Sequence, residues 1–212
     1  ELVEIEWDPL PSVSTCETAL ESDAQIIHPE FDDNLAFEAR AGDGNMDDEM
    51  DVRVSASFRF GRHTGVPLET RATVAEWNSG DETLTVHASH QTPWQQQDVY
   101  SRHLGIDEHR VRVICPDVGG GFGIKLHVYG DEVAVAALAR KLGRPVKFVA
   151  DRLESFQTDM HSRDHVVTAS LGVSGGRLSS MQVEAVGGIG PYSAYRRASI
   201  GEGMMNMNLS GA

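Results

Sequence analysis

Cys115-Pro-Asp-Val-Gly-Gly-Gly-Phe-Gly-Ile-Lys125 is the stretch around which the rest of the chain is read. It sits between a strand-like run, Arg110 to Cys115, and a helix-like run opened by Asp131-Glu132. Glycines at 119, 120, 121 and 123 let the backbone take positive φ and bring its N–H groups close to a ligand. Such a turn leading towards a helix start suits an anionic or acceptor-rich ligand. A crossover turn with no ligand fits the same glycines equally well.

Outward from the loop, hydrophobic periodicity and turn signals define the flanking elements. Asp131-Glu132 begins a helix with Val133, Ala134, Ala137 and Leu138 on one face, stopped by Gly143 and Pro145. Val146 to Ala150 reads as a strand, and Asp151 to Glu154 as a turn or short helix. Upstream, Pro93 starts a helix to His103 or Leu104, ended by Gly105. Ala72–Trp77 and Leu84–Ala88 flank Asn78-Ser-Gly-Asp-Glu82 as a hairpin, and Val166–Val173 with Leu178–Val186 form a second. Val52 to Phe60 alternates as a strand, and so does Leu2 to Trp7. Mixed order of strands and helices makes the fold class α+β.

Composition narrows the function. A chain of 212 residues with 40% hydrophobic content can bury a sizeable core. No run approaches the roughly 18 apolar residues of a membrane span. Thirty-two acidic against 18 basic residues, net −14, argue against nucleic acid and anionic membranes. Cys16 and Cys115 are the only cysteines and form no CxxC pattern, which argues against a cysteine-held zinc or iron–sulfur site within this chain.

The loop fails both common nucleotide motifs. GxGxxG read from Gly119 ends at Ile124, and from Gly121 at Leu126. A P-loop requires Ser or Thr after its lysine, and Leu126 follows Lys125. A phosphate- or pterin-type ligand remains open.

Several blocks in fixed order carry a family likeness: Arg62-His-Thr-Gly-Val-Pro-Leu-Glu-Thr-Arg71, Ala75-Glu-Trp77, a strand ending at Gln91, Leu104-Gly-Ile-Asp107, Val111-Arg-Val113, Asp117-Val-Gly-Gly-Gly-Phe-Gly123 with Lys125, Ala136-Ala-Leu-Ala-Arg140, Leu142-Gly-Arg-Pro-Val-Lys147 and Asp151-Arg152. Together they resemble the molybdenum-cofactor-binding large subunit of the xanthine oxidase family, especially its carbon-monoxide-dehydrogenase-type members. The likeness runs over about residues 1 to 205.

That resemblance implies a mixed-sheet molybdopterin-binding domain over 51–212, truncated, after an acidic linker over 26–50 and the tail of an α/β hammerhead domain over 1–25. It implies that Gln91 is catalytic and cofactor-binding, approaching the apical oxo ligand of molybdenum. Gly120, Gly121, Phe122 and Gly123 would pack beside the pterin and metal, Phe122 donating its N–H. No protein atom would ligate the metal. The implied cofactor is molybdopterin, in its cytosine dinucleotide form, with molybdenum.

The implied reaction oxidises a carbon centre with water-derived oxygen and passes electrons onward. An FAD-binding subunit and a [2Fe-2S] subunit would be the partners, in a dimer of heterotrimers acting on a small molecule. The compartment implied is cytoplasmic, with periplasmic as the alternative. Leu126, where purine-hydroxylating members have a glutamate, and Ile124, where a second glycine often stands, argue against xanthine. The family's Gly-Gln-Gly-Glu-like glutamate is not recognisable, so a fragment or one part of a split enzyme is expected. A non-catalytic scaffold of this fold and a phosphate-binding module are the competing classes.

Other polar groups have plainer readings. His161 and His165 share i,i+4 spacing but lack a third ligand, so solvated side chains are expected. Glu69 and Glu76 are expected to pair with Arg62 or Arg71 rather than act as an acid/base couple. Gln95, Gln96 and Gln97 read as a polar helix face, Gly187-Gly-Ile-Gly190 as a structural bend, and Met204, Met205 and Met207 as apolar core.

Overall fold

The computed structural model describes residues 4–42, 46 and 50–190. The methionines at 204, 205 and 207 lie outside them. The chain divides into two units, one of Glu1–Arg62 with Arg163–Ala212, the other of His63–Ser162. The boundaries read from sequence near residues 25 and 50 both fall inside the first unit.

The first unit is built on an antiparallel sheet in the order β1-β6-β7, where β1 is Val52–Phe60, β6 is His165–Ser174 and β7 is Arg177–Gly187. The expected hairpin forms, turning through Gly175 and Gly176, both at positive φ. Glu4 to Trp7 is irregular and exposed, contrary to the strand expected there. Alternation alone did not supply an edge for it to pair with. The bend after β7 has a packing reason, since a Cβ on Gly188 would overlap the Asp164 carboxylate.

The second unit carries a mixed sheet in the order β4-β3-β2-β5. β2 (Ala72–Asn78) pairs antiparallel with β3 (Thr83–Ala88) and with β5 (Val146–Val149), while β3 pairs parallel with β4 (Val111–Ile114). Asn78 Oδ1 accepts the Gly80 N–H at 2.9 Å, which is why Asn-Ser-Gly-Asp turns the first hairpin. Helix α1 (Pro93–Leu104) makes the crossover that a parallel β3–β4 pair requires. Pro93 stands in its first turn, and Gly105 caps its end at φ 61°.

Helix α2 (Gly130–Leu142) and α1 supply Tyr100, Val135, Ala136 and Ala139 to one core with Ala75, Leu84, Val86 and Val111 of the sheet. Small alanines on α2 let it lie close against the strands. Gln96 of α1 departs from the expected polar face. It is fully buried, and neither side-chain polar atom has a partner among the described residues. Helix α3 (Arg152–Thr158) follows β5, capped by Asp151, whose side chain accepts the Glu154 N–H at 2.8 Å.

Candidate functional site

Two segments of the second unit meet at the glycine loop: residues 89–92, between β3 and α1, and residues 119–127, between β4 and α2. Gln91 N–H donates to Lys125 O at 2.9 Å. His90 is buried; its Nδ1 accepts the Thr92 N–H at 3.0 Å, so Nε2 carries the proton and donates to His127 O at 3.1 Å. Burial, with the Lys125 charge nearby, depresses its pKa against two hydrogen bonds that oppose the shift. His90 is therefore a neutral strut that fixes the start of the segment.

Gln91 and the loop touch as expected. Gly123 N–H donates to Gln91 Oε1 at 3.1 Å. Ile124 N–H donates to Gly121 O at 2.9 Å, closing a turn whose central residues, Phe122 and Gly123, have φ of 48° and 87°. Positive φ at a phenylalanine costs of the order of 1 kcal/mol or more and persists only where its surroundings impose it. Phe122 is nevertheless 75% exposed, so its own side chain gains little from burial there. A Cβ on Gly121 would overlap the Gln91 carboxamide, and a Cβ on Gly119 would lie 2.6 Å from Glu69 Cβ.

What remains unspent is a set of donors. Among the described residues, no acceptor is bonded to the N–H groups of Gly120, Gly121 or Phe122, nor to Gln91 Nε2. Gln91 and Phe122 are exposed, Gly120 and Gly123 half-buried and Gly121 buried, so the ledge is open at Gln91 and Phe122. An acceptor-rich or anionic group fits it without any ligating side chain.

Sequence reasoning missed the group behind the ledge. Glu69 pairs with neither Arg62 nor Arg71. Its Oε2 takes Lys125 Nζ at 2.6 Å, Gly119 N–H at 2.6 Å and the Ser89 hydroxyl. Desolvation pushes the Glu69 pKa up, but these bonds outweigh it and hold it at about 2. Lys125 itself is fully buried and also reaches Ser89 Oγ at 2.9 Å. Glu76 is exposed on β2 and forms no acid/base couple with Glu69.

A second buried charge braces the start of α2. Arg71, 1% exposed, binds Asp131 through both terminal nitrogens (2.8 and 2.7 Å) and Asp159 through Nε at 2.7 Å. Its guanidinium lies 3.8 Å from the Tyr129 ring centroid. Glu132 Oε2 accepts the Tyr129 N–H at 3.1 Å. Burial, with the Asp131 charge nearby, raises the Glu132 pKa to about 7 against the opposing pull of the Tyr129 N–H and of Arg71, whose nitrogen lies 3.6 Å from Glu132 Oε1. The expected run from loop into helix N-terminus is thus interrupted by a short 3₁₀ turn at Ile124–Leu126, and the helix start is filled by its own carboxylates. Phosphate binding at that terminus is correspondingly disfavoured.

The remaining candidates disperse. His161 lies in the irregular segment after α3 and His165 begins β6, so no helix brings them to one face. A surface concavity lined by Gln97, Asp107, Glu108 and His109 is polar, and Gln97 Nε2 is already bonded to Glu108 O and Val111 O.

Comparison with known proteins gives the chain's family. Residues 27–210 match the family model described as molybdopterin cofactor-binding domain. The carbon monoxide dehydrogenase large chain of Hydrogenophaga pseudoflava is 32% identical over 211 residues, covering 92% of this chain and 26% of that protein. The nicotine 6-hydroxylase large subunit of Paenarthrobacter nicotinovorans is 33% identical over 171 residues, covering 79% and 21%. Among solved structures, reconstituted CO dehydrogenase from Oligotropha carboxidovorans superposes with a TM-score of 0.75 at 31% identity, covering 86% of this chain and 25% of that one. The chain thus spans about a quarter of the length of these relatives.

Proposed function

This chain belongs to the molybdopterin cofactor-binding domain family, and from that membership we propose that Gln91 with Gly120, Gly121, Phe122 and Gly123 forms one wall of a molybdenum–pterin site. The single observation that carries the reading is the unspent set of donors beside Gln91, on a loop where a Cβ at Gly119 or Gly121 would collide with Glu69 or Gln91. When bound, the molybdenum–pterin group supplies the two-electron chemistry that oxidises a carbon centre. The work of this chain is to hold and orient.

Gln91 has one oxygen and one amide nitrogen. Its oxygen is committed to Gly123 N–H, so Nε2 is left to donate outward. The Phe122 N–H donates beside it. Both are neutral and carry no labile charge, so they stabilise negative charge on an acceptor without supplying a proton. His90, held neutral, adds no acid next to Gln91.

The whole protein is read as a multi-subunit oxidoreductase, with cofactor in the cytosine dinucleotide form. FAD-binding and [2Fe-2S] subunits would carry electrons away, in a dimer of heterotrimers in the cytoplasm. The division into a hammerhead tail over 1–25, a linker over 26–50 and a cofactor domain over 51–212 belongs to the same proposal. The matched relatives are named for carbon monoxide and for nicotine, which supports a small-molecule substrate and leaves its identity open. No helix among the described residues is long and apolar enough to cross a membrane. Metal analysis of the protein purified with its neighbours tests the reading. Stoichiometric molybdenum supports it, and a metal-free, pterin-free complex overturns it in favour of a scaffold.

A further inference from the structure

A fully buried lysine directly behind the loop has no part in the reading above. Lys125 meets it twice over. Its ammonium binds Glu69 Oε2 at 2.6 Å and Ser89 Oγ at 2.9 Å, and its backbone carbonyl accepts the Gln91 N–H at 2.9 Å. The same Glu69 oxygen takes the Gly119 N–H at 2.6 Å, while Glu69 N–H returns a bond to Gly119 O at 3.3 Å. One carboxylate oxygen therefore ties down both ends of the loop, Gly119 and Lys125, together with Ser89, which stands two residues before Gln91.

We propose that Glu69 and Lys125 are positioning residues that set the span of the glycine loop and so hold Gln91 in register with Gly123. Bulk stability does not explain the pair, because an ion pair whose carboxylate side chain is 41% exposed contributes little on its own. Geometry does. An apolar pair offers nothing for the Gly119 N–H and the Ser89 hydroxyl to bond, so the loop ends would no longer converge on one atom. With the span relaxed, the turn closed by Ile124 N–H on Gly121 O loses the anchors at its two ends, and the Gly123–Gln91 bond loosens. Gly119 admits no Cβ because Glu69 approaches it so closely, which shows how tight the clamp is.

The proposal extends the cofactor reading, but its effect on Gln91 can be measured without cofactor. Amide hydrogen exchange at Gly123 in the full, cofactor-free chain is compared for Gln91→Ala, Ser89→Ala and the charge-free pair Glu69→Leu with Lys125→Met. Gln91→Ala removes the acceptor directly and is expected to speed Gly123 exchange by about tenfold or more. The charge-free pair is expected to match that factor and Ser89→Ala to reach part of it, with the amides of β2 and β3 still protected. Unchanged Gly123 exchange in folded Ser89→Ala protein overturns the proposal, even if the charge-free pair does not fold. In molybdenum-loaded protein, the charge-free pair should also shift the Mo(V) electron paramagnetic resonance signal as Gln91→Ala does. Failure of the parent protein to take up molybdenum would sink the cofactor reading alone and leave the exchange result to decide this one.

Discussion

Gly123 N–H donates to Gln91 Oε1 across 3.1 Å, and that bond decides which end of the carboxamide faces outward. A backbone N–H can only donate, so the oxygen is committed and the NH₂ group is left over. Gln91→Ala loses both functions, whereas Gln91→Glu keeps an acceptor for Gly123 and loses the outward donor. If the donor matters, both variants lower kcat of the assembled enzyme by about 100-fold, the effect of deleting one preorganised donor. Melting temperatures should stay within a few degrees of the parent, since the site is exposed. Steady-state kinetics with thermal denaturation of the same samples checks this, and normal turnover by Gln91→Glu would count against the donor role.

Arg71 is the brace of the second unit. Four oxygens from Asp131, Asp159 and Thr158 surround a guanidinium that is 1% exposed. Lysine cannot reproduce the fork, so Arg71→Lys leaves buried carboxylates short of donors. Urea denaturation should show a loss of about 3–5 kcal/mol for Arg71→Met and a smaller loss for Arg71→Lys.

Two carboxylates give the stability of the fold opposite pH slopes. Burial holds the Glu132 pKa at about 7, above its ordinary 4.5. Between those values the folded chain keeps a proton that the unfolded chain has released, so stability falls as pH rises through the window and is flat above it. For Glu69 the order is reversed. Its folded pKa of about 2 lies below 4.5, so its contribution is present above 4.5 and is lost as pH falls towards 2. Urea midpoints at about pH 5 and about pH 8 should differ less in Glu132→Gln than in the parent. An unchanged difference would show that Glu132 titrates normally.

Gly130 stands at the first position of α2 with open space around it and no positive φ. Gly130→Ala should raise stability by up to about 1 kcal/mol, because it removes backbone entropy from the unfolded chain. Calorimetry of the variant reads this directly.

Local structure was legible because local signals agreed. The strand at Val52–Phe60, the helix from Pro93 with its Gly105 stop and the helix ended by Gly143 appear where periodicity and caps put them. The proximity of Gln91 to the loop was implied by the family likeness and not by spacing. The charge partners were not legible. Sequence proximity pairs Glu69 with Arg62 or Arg71, yet its cation lies 56 residues on. Arg71 finds its acids on α2 and at the end of α3. Pairings of that range are set by how the sheet and helices close, which no local pattern encodes. Lys125 offered one hint, a lone charge between Ile124 and Leu126. Gln96 offered none, since glutamine is ordinarily exposed.

The most direct measurement is molybdenum content of the purified complex for the parent, Gly121→Ala and Gly130→Ala. A Cβ at 121 would drive into the Gln91 carboxamide, whereas one at 130 meets nothing. Stoichiometric molybdenum in the parent and Gly130→Ala, with most of it lost from a folded Gly121→Ala, is the expected result. Full molybdenum and an unaltered Mo(V) signal in Gly121→Ala would contradict the assignment of this loop as the cofactor's wall.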